Sequence, residues 1–224
     1  MSPQSVRLGD LCAVTASPSS DLFTELALDA EGTPVVTPAD ITDAQRIDPE
    51  ALRQVPDTVT GLARFRLHPG DLVMVRLGGV GKVALVDEGA DGWVYHSSCI
   101  RIRPDAERVD PVYLAAYLAH PPVVAELLSH VQVVTVPVLT TQALEGLPVL
   151  LPDVGRQRIM AGALREVGLQ MDLQRRILTR LSAVRQGLFT QMLGDELPGV
   201  TVSRATGAMP ERRMPRTRRT NRMS

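Results

Sequence analysis

The chain lacks the raw material for several common chemistries. Its two cysteines, Cys12 and Cys99, stand far apart in 224 residues, without the paired spacing that a zinc site or a small disulfide framework requires. His68, His120 and His130 sit singly beside prolines or apolar runs and show no metal-ligand spacing. No basic segment leads into an apolar stretch at the N-terminus, and the most apolar run, 131–152, is interrupted by Gln132, Gln142, Glu145 and Pro148. Neither a signal peptide nor a membrane span is expected, and a reduced, cytoplasmic setting fits best. Lysine is almost missing: Lys82 is the only one beside 23 arginines, a bias of the kind that GC-rich coding produces. Arginine enrichment alone therefore argues for no particular partner.

What is present suffices for a folded body. A hydrophobic content of 44% over this length can bury a core, so one compact domain with an appendage is expected. The net charge of −1 conceals a segregation along the chain. Residues 1–63 carry −7, residues 64–103 carry +2, residues 104–195 carry −1, and residues 196–224 carry +5. The start is acidic; the centre and end are basic, which is the distribution to examine for a nucleic-acid partner.

Residues 1–60, rich in Ser, Thr, Pro and Asp, read as loops with brief strands or helical turns. From Leu67 the pattern sharpens. His68-Pro69-Gly70-Asp71 is a turn signal before the strand Leu72 to Arg76, Gly78-Gly79 supplies a bend, and Val83 to Val86 is the return strand. Tyr95 to Arg103 alternates, with Ile100 and Ile102 to one side and Arg101 and Arg103 to the other, which predicts a half-buried strand with a basic outer face. Asp110-Pro111 starts a helix that Pro121-Pro122 stops, and a second short helix is expected over 123–129. Residues 131–139 return to strand-like composition, and 148–152 form a short apolar segment bracketed by prolines.

From about Asp153 to Leu193 the period becomes that of a long helix. Met160, Leu164, Val167, Met171, Gln174, Leu178, Leu181, Arg185, Leu188 and Met192 recur in alternating threes and fours, a heptad seam. About 40 residues at 1.5 Å rise extend about 60 Å, a length suited to pairing with another helix. The alternative is a helix folded back on its own domain. Gln174 and Arg185 on the seam weaken pairing but can fix register or partner. Beyond Gly194, prolines, glycines and the pairs Arg212-Arg213 and Arg218-Arg219 lack any apolar period, so residues 195–224 read as a disordered basic tail.

Enzyme motifs fail on context. Gly79-Val80-Gly81-Lys82-Val83-Ala84 imitates a dinucleotide fingerprint, but a strand follows where that site needs a helix. A phosphate loop would need Ser or Thr at 83 and Gly at 76, where Val83 and Arg76 stand. His96-Ser97-Ser98-Cys99 gathers nucleophiles and a base, yet neighbours on a strand point to opposite faces and no nucleophile elbow surrounds them.

The order of features from Leu67 to Met192 resembles one half of a type I restriction-modification specificity subunit. The segments that carry the resemblance are 67–86, 97–105, 110–118 and 147–152, closing at Gln157 and the long helix; Val6 to Leu11 and Pro34 to Ile41 resemble the family's opening segments. The resemblance implies an α+β fold: a mixed, β-rich target-recognition domain with small helices over 1–152, then one long coiled-coil helix over 153–194. It implies a non-catalytic chain that reads a short half-site in double-stranded DNA and directs an adenine-N6 methyltransferase to a bipartite sequence, with or without a nuclease-translocase subunit. No cofactor is implied in this chain; S-adenosylmethionine belongs to the partner. Because relatives carry two such halves, a half-length form is expected to homodimerise through 160–192, as the seam itself suggests.

Candidate DNA-binding residues are Arg64, Arg66, Arg76, Lys82, Arg101 and Arg103, with Gly78, Gly79, Ser97 and Ser98 beside them. For the glycines, hairpin geometry is the favoured reading over direct backbone contact with DNA. The competing functional readings are a coiled-coil adaptor or decoy of restriction machinery that does not read DNA, and a small nucleotide-binding enzyme built on the glycines.

Overall fold

The computed structural model describes residues 4–16, 18–24, 26–28, 31–50, 52–130, 132–133 and 137–193. The basic tail, 195–224, lies outside them, as does part of the 131–139 segment. In chain order the strands are β1 (Gln4–Arg7), β2 (Cys12–Thr15), β3 (Thr33–Val36), β4 (Arg53–Val55), β5 (Leu72–Val75), β6 (Val83–Leu85), β7 (Val94–Tyr95) and β8 (Cys99–Pro104). The helices α1 (Pro111–Ala119) and α2 (Pro121–Ser129) follow, then β9 (Gln132–Val133), β10 (Pro137–Val138), α3 (Thr141–Glu145), β11 (Pro148–Leu151) and α4 (Val154–Leu193). This is the α+β architecture expected: a β-rich region with small helices, then one long helix.

β5 organises the body. Leu72 and Met74 enter one core and Val73 and Val75 another, so all four are buried. A strand covered on both faces needs a continuous apolar run rather than alternation, and Leu-Val-Met-Val supplies it. β5 pairs antiparallel with β6 and β8, and β2 joins the far side of β8, giving the order β2-β8-β5-β6. The first core lies between this sheet and α1, where Ile100 and Ile102 meet Tyr113, Leu114 and Leu118. The second holds Phe65, Leu67, Ala84, Val86 and Tyr95. A smaller sheet has β3 between β4, antiparallel, and β7, parallel.

Helix starts follow capping chemistry. Asp110 Oδ1 accepts from the amides of Val112 and Tyr113 at 2.8 and 3.2 Å, which satisfies donors that the first turn leaves free. Pro121-Pro122 does end α1, but these prolines then open α2 rather than separate it, two residues before the expected start. Their missing amides cost nothing in a first turn. The chain bends by 68° between the two helices. The short α3, capped by Thr140 Oγ1 on the Ala143 amide, is an element that the sequence reading did not anticipate. Nor did it pair β1 with β11, which ties the start of the chain to the strand before α4.

The contacts divide the chain into two units, residues 1–177 and 178–224. Among the described residues the second consists of the continuation of α4.

Candidate nucleic-acid interface

One end of the central sheet gathers six of the residues singled out above. Arg76 follows β5; its amide donates to the Ser98 carbonyl at 2.8 Å and its carbonyl accepts from Leu139 at 3.0 Å. The loop 76–82 closes the β5–β6 hairpin, with Val75 donating to the Lys82 carbonyl at 2.8 Å. Gly78 and Gly81 have φ of +83° and +96°, the left-handed region that a Cβ disfavours. At Gly81 an added Cβ would also stand 2.8 Å from Val124 Cγ1 on α2. Gly78 and Gly81 are thus required by the hairpin itself, whereas Gly79 has neither a positive φ nor a close neighbour. Gly78, Gly79 and Lys82 are exposed, and Ser97 and Ser98 are half-buried on the adjoining turn. Arg76 Nε is buried and, among the described residues, meets no acceptor.

His96 shapes that turn. Its Nδ1 accepts from the Ser98 amide at 3.2 Å, and the ring packs 5.2 Å from that of Phe23. Burial, and then the positive charge of Arg53, lower the His96 pKa. Cys99, the next apparent nucleophile, is buried, and burial raises its thiol to about 12.

The basic outer face expected of β8 is only partly open. Arg101 is only 9% exposed; its Nη1 donates to the carbonyls of Arg64 and Arg66 at 3.1 and 2.7 Å and its Nη2 to Thr15 Oγ1 at 2.9 Å. Arg103 forks onto Asp71, with Nε to Oδ1 at 2.6 Å and Nη2 to Oδ2 at 2.7 Å. Asp71 is 2% exposed, and its Oδ2 also accepts from the His68 amide at 2.9 Å. The two-residue period correctly separates the arginines from Ile100 and Ile102, but a period does not say what covers either face. Here the 63–67 segment lies across the arginine side.

Arg64 and Arg66 keep exposed side chains while their carbonyls hold Arg101. The Arg64 guanidinium stands 4.5 Å over the Phe65 ring, and Arg66 Nη1 donates to the Gly92 carbonyl at 2.9 Å. Arg66 also lines an open cavity of about 800 Å³ with Trp93, Asp57 and Asp91. Sequence reasoning missed Asp71 and Thr15 as the partners that immobilise two arginines. Asp71 closes the His-Pro-Gly-Asp turn, so its position was legible and its pairing was not.

α4 presents two different stripes. Its root is Gln157, fully buried, whose Oε1 accepts from the Asp110 amide at 2.9 Å and whose Nε2 donates to the Pro152 carbonyl at 2.9 Å. Gln157, Ala161, Gly168 and Asp172, buried or half-buried at helical spacing, form the stripe that faces the body. The heptad seam lies on another face. Its apolar members Met160, Leu164, Val167, Met171, Leu178, Leu181, Leu188 and Met192 are 38–85% exposed, and Gln174 and Arg185 are exposed with them. The seam is therefore not used in packing on its own domain. Leu181, Val184, Leu188, Phe189 and Met192 form an exposed apolar face near the end of α4, with Arg185 among them.

Among the described residues no group of three or more His, Cys, Asp and Glu can hold a metal ion, and no single helix is long and apolar enough to cross a membrane. Residues 3–183 match a family model described as the type I restriction modification DNA specificity domain. No curated protein matches in sequence. Solved structures do match in fold. One, described by complex assembly and conformational transition of the type I R-M system, gives a TM-score of 0.56 at 20% identity, covering 85% of this chain and 44% of the other. The HsdS subunit from Thermoanaerobacter tengcongensis gives 0.58 at 17% identity, covering 89% and 51%. The type I restriction-modification S subunit from M. genitalium gives 0.60 at 14% identity, covering 88% and 47%. The chain spans about half the length of these structures.

Proposed function

The chain belongs to the type I restriction modification DNA specificity domain family, and from that premise we propose that it reads one DNA half-site and directs an adenine-N6 methyltransferase to a bipartite sequence. The observation that carries this reading is the family match, which runs unbroken from the recognition body into α4. In this reading residues 1–152 recognise the target, residues 153–194 pair with a second copy and dock the methyltransferase, and S-adenosylmethionine is bound by that partner. A nuclease-translocase subunit joins where cleavage accompanies methylation. Cys12 and Cys99 are buried thiols outside any disulfide, which suits a reducing cytoplasm.

The hairpin end of the central sheet is the reading surface. Arg76, Lys82, Ser97 and Ser98, with exposed backbone at Gly78 and Gly79, offer donors to phosphates and base edges. Arg64 and Arg66 flank it as phosphate contacts. Arg101 and Arg103 serve indirectly, by holding the 63–67 segment and the turn before β5 in place.

Binding of the chain with its methyltransferase to target duplex, followed against salt, tests this division. Replacing Arg76 and Lys82 with alanine should weaken binding and reduce the salt dependence by about one released ion per lost phosphate contact. Unaltered affinity and slope would favour an interaction adaptor that does not read DNA.

A further inference from the structure

The turn 42–46 makes a contact with α4 in which the reading surface takes no part. Arg46 reaches two elements at once: its Nη2 lies 3.2 Å from Asp87 Oδ2, and its Nε lies 2.9 Å from Asp172 Oδ2 on α4. One turn further along the helix, Arg175 Nη2 stands 3.6 Å from Asp43 Oδ2. The charges are matched crosswise, acid to base at each position.

The turn is itself tied down. Ile41 is buried and bridges to Ile47, Thr42 donates its amide to the Arg46 carbonyl at 2.9 Å, and the Gln45 carbonyl accepts from Leu85 at 2.9 Å. Gln45 has φ +58°, the one non-glycine with positive φ among the described residues. Such a conformation persists where the surroundings over-determine it. The turn is therefore a fixed point against which a helix can be aligned.

Exposed ion pairs add little to global stability. Their consequence here is geometric. We propose that residues 42–46 are a positioning strap that fixes the direction in which α4 leaves the recognition body, and with it the separation of the two half-sites that a pair of chains reads. This rests on the DNA-recognition reading above. Asp172 lies about 22 Å along the helix from the root at Gln157, at 1.5 Å per residue. A swing of about 10° there moves the helix by about 4 Å, and one base-pair step is about 3.4 Å.

The test maps N6-methyladenine in cells that hold the candidate methyltransferase and the full chain. One variant carries Asp172→Ala with Arg175→Ala, helix positions where alanine preserves the helix. A second carries Asp43→Arg with Arg175→Asp, which exchanges the charges of one pair. The wild type should methylate its half-sites at a single spacing. The alanine variant should methylate the same half-site sequences at spacings shifted by one base pair or more, and the exchanged pair should return a single spacing. The strap is overturned if the alanine variant keeps the wild-type spacing, loses the half-site sequence, or loses methylation while still melting cooperatively, or if the exchanged pair behaves as the alanine variant does. A wild-type chain that directs no methylation refutes the recognition reading itself, an outcome distinct from all of these.

Discussion

At the scale of single residues, the arginines divide by what their guanidinium groups already touch. Arg101 donates to three acceptors inside the fold, whereas Lys82 is exposed and Arg76 half-buried at the β5–β6 hairpin. His96 gives a titration that can be followed. Well above pH 6.5, its ordinary value, the imidazole is neutral in folded and unfolded chains alike and contributes no pH dependence. As pH falls below 6.5 the unfolded chain takes up the proton first, so stability declines until pH passes the lowered folded value. Denaturant unfolding between pH 7.5 and 5 should therefore show a decline that His96→Asn, which has no proton to gain, does not share. Parallel profiles for the two proteins would refute the assignment. The identity of the basic residues was legible in the sequence. Their availability was not, because Asp71, Thr15 and the Arg64 and Arg66 carbonyls reach Arg101 and Arg103 only through tertiary contacts more than 30 residues apart.

At the scale of elements, local chemistry fixed much of what forms. The Asp110 cap, the glycine-bearing hairpin and the long heptad helix are each written in a few adjacent residues, and each is present. The elements that went unread are those made by partners: β1 takes strand form beside β11, over 140 residues away, and neither segment alternates clearly by itself. The seam of α4 leads to a further expectation. Two copies aligned parallel would stack Arg185 on Arg185 in the apolar interface, a like-charge contact with desolvation cost. An antiparallel register centred at residue 176 instead sets Arg185 against Val167, Met160 against Met192 and Leu164 against Leu188. Because burial holds the thiols of Cys12 and Cys99 at about 12, engineered cysteines report without interference at neutral pH. Met160→Cys should cross-link to Met192→Cys in a mixture and not to itself. Self-cross-linking of Met160→Cys would establish the parallel arrangement and contradict the register.

At the scale of the whole molecule, the acidic start and basic centre remain a property of the sequence, while the fold decides which charges face outward. Fewer basic side chains stand open than their number in the sequence implied, since Arg101 is buried and Arg103 is paired with Asp71. If two copies pair as proposed, two linked half-site contacts act as one and raise affinity. The most direct test of the account is a genome-wide map of N6-methyladenine in cells that carry the candidate methyltransferase, with and without this chain. A bipartite methylated motif with inverted, matching half-sites should appear only when the chain is present. Methylation that is the same with and without the chain would contradict the recognition reading.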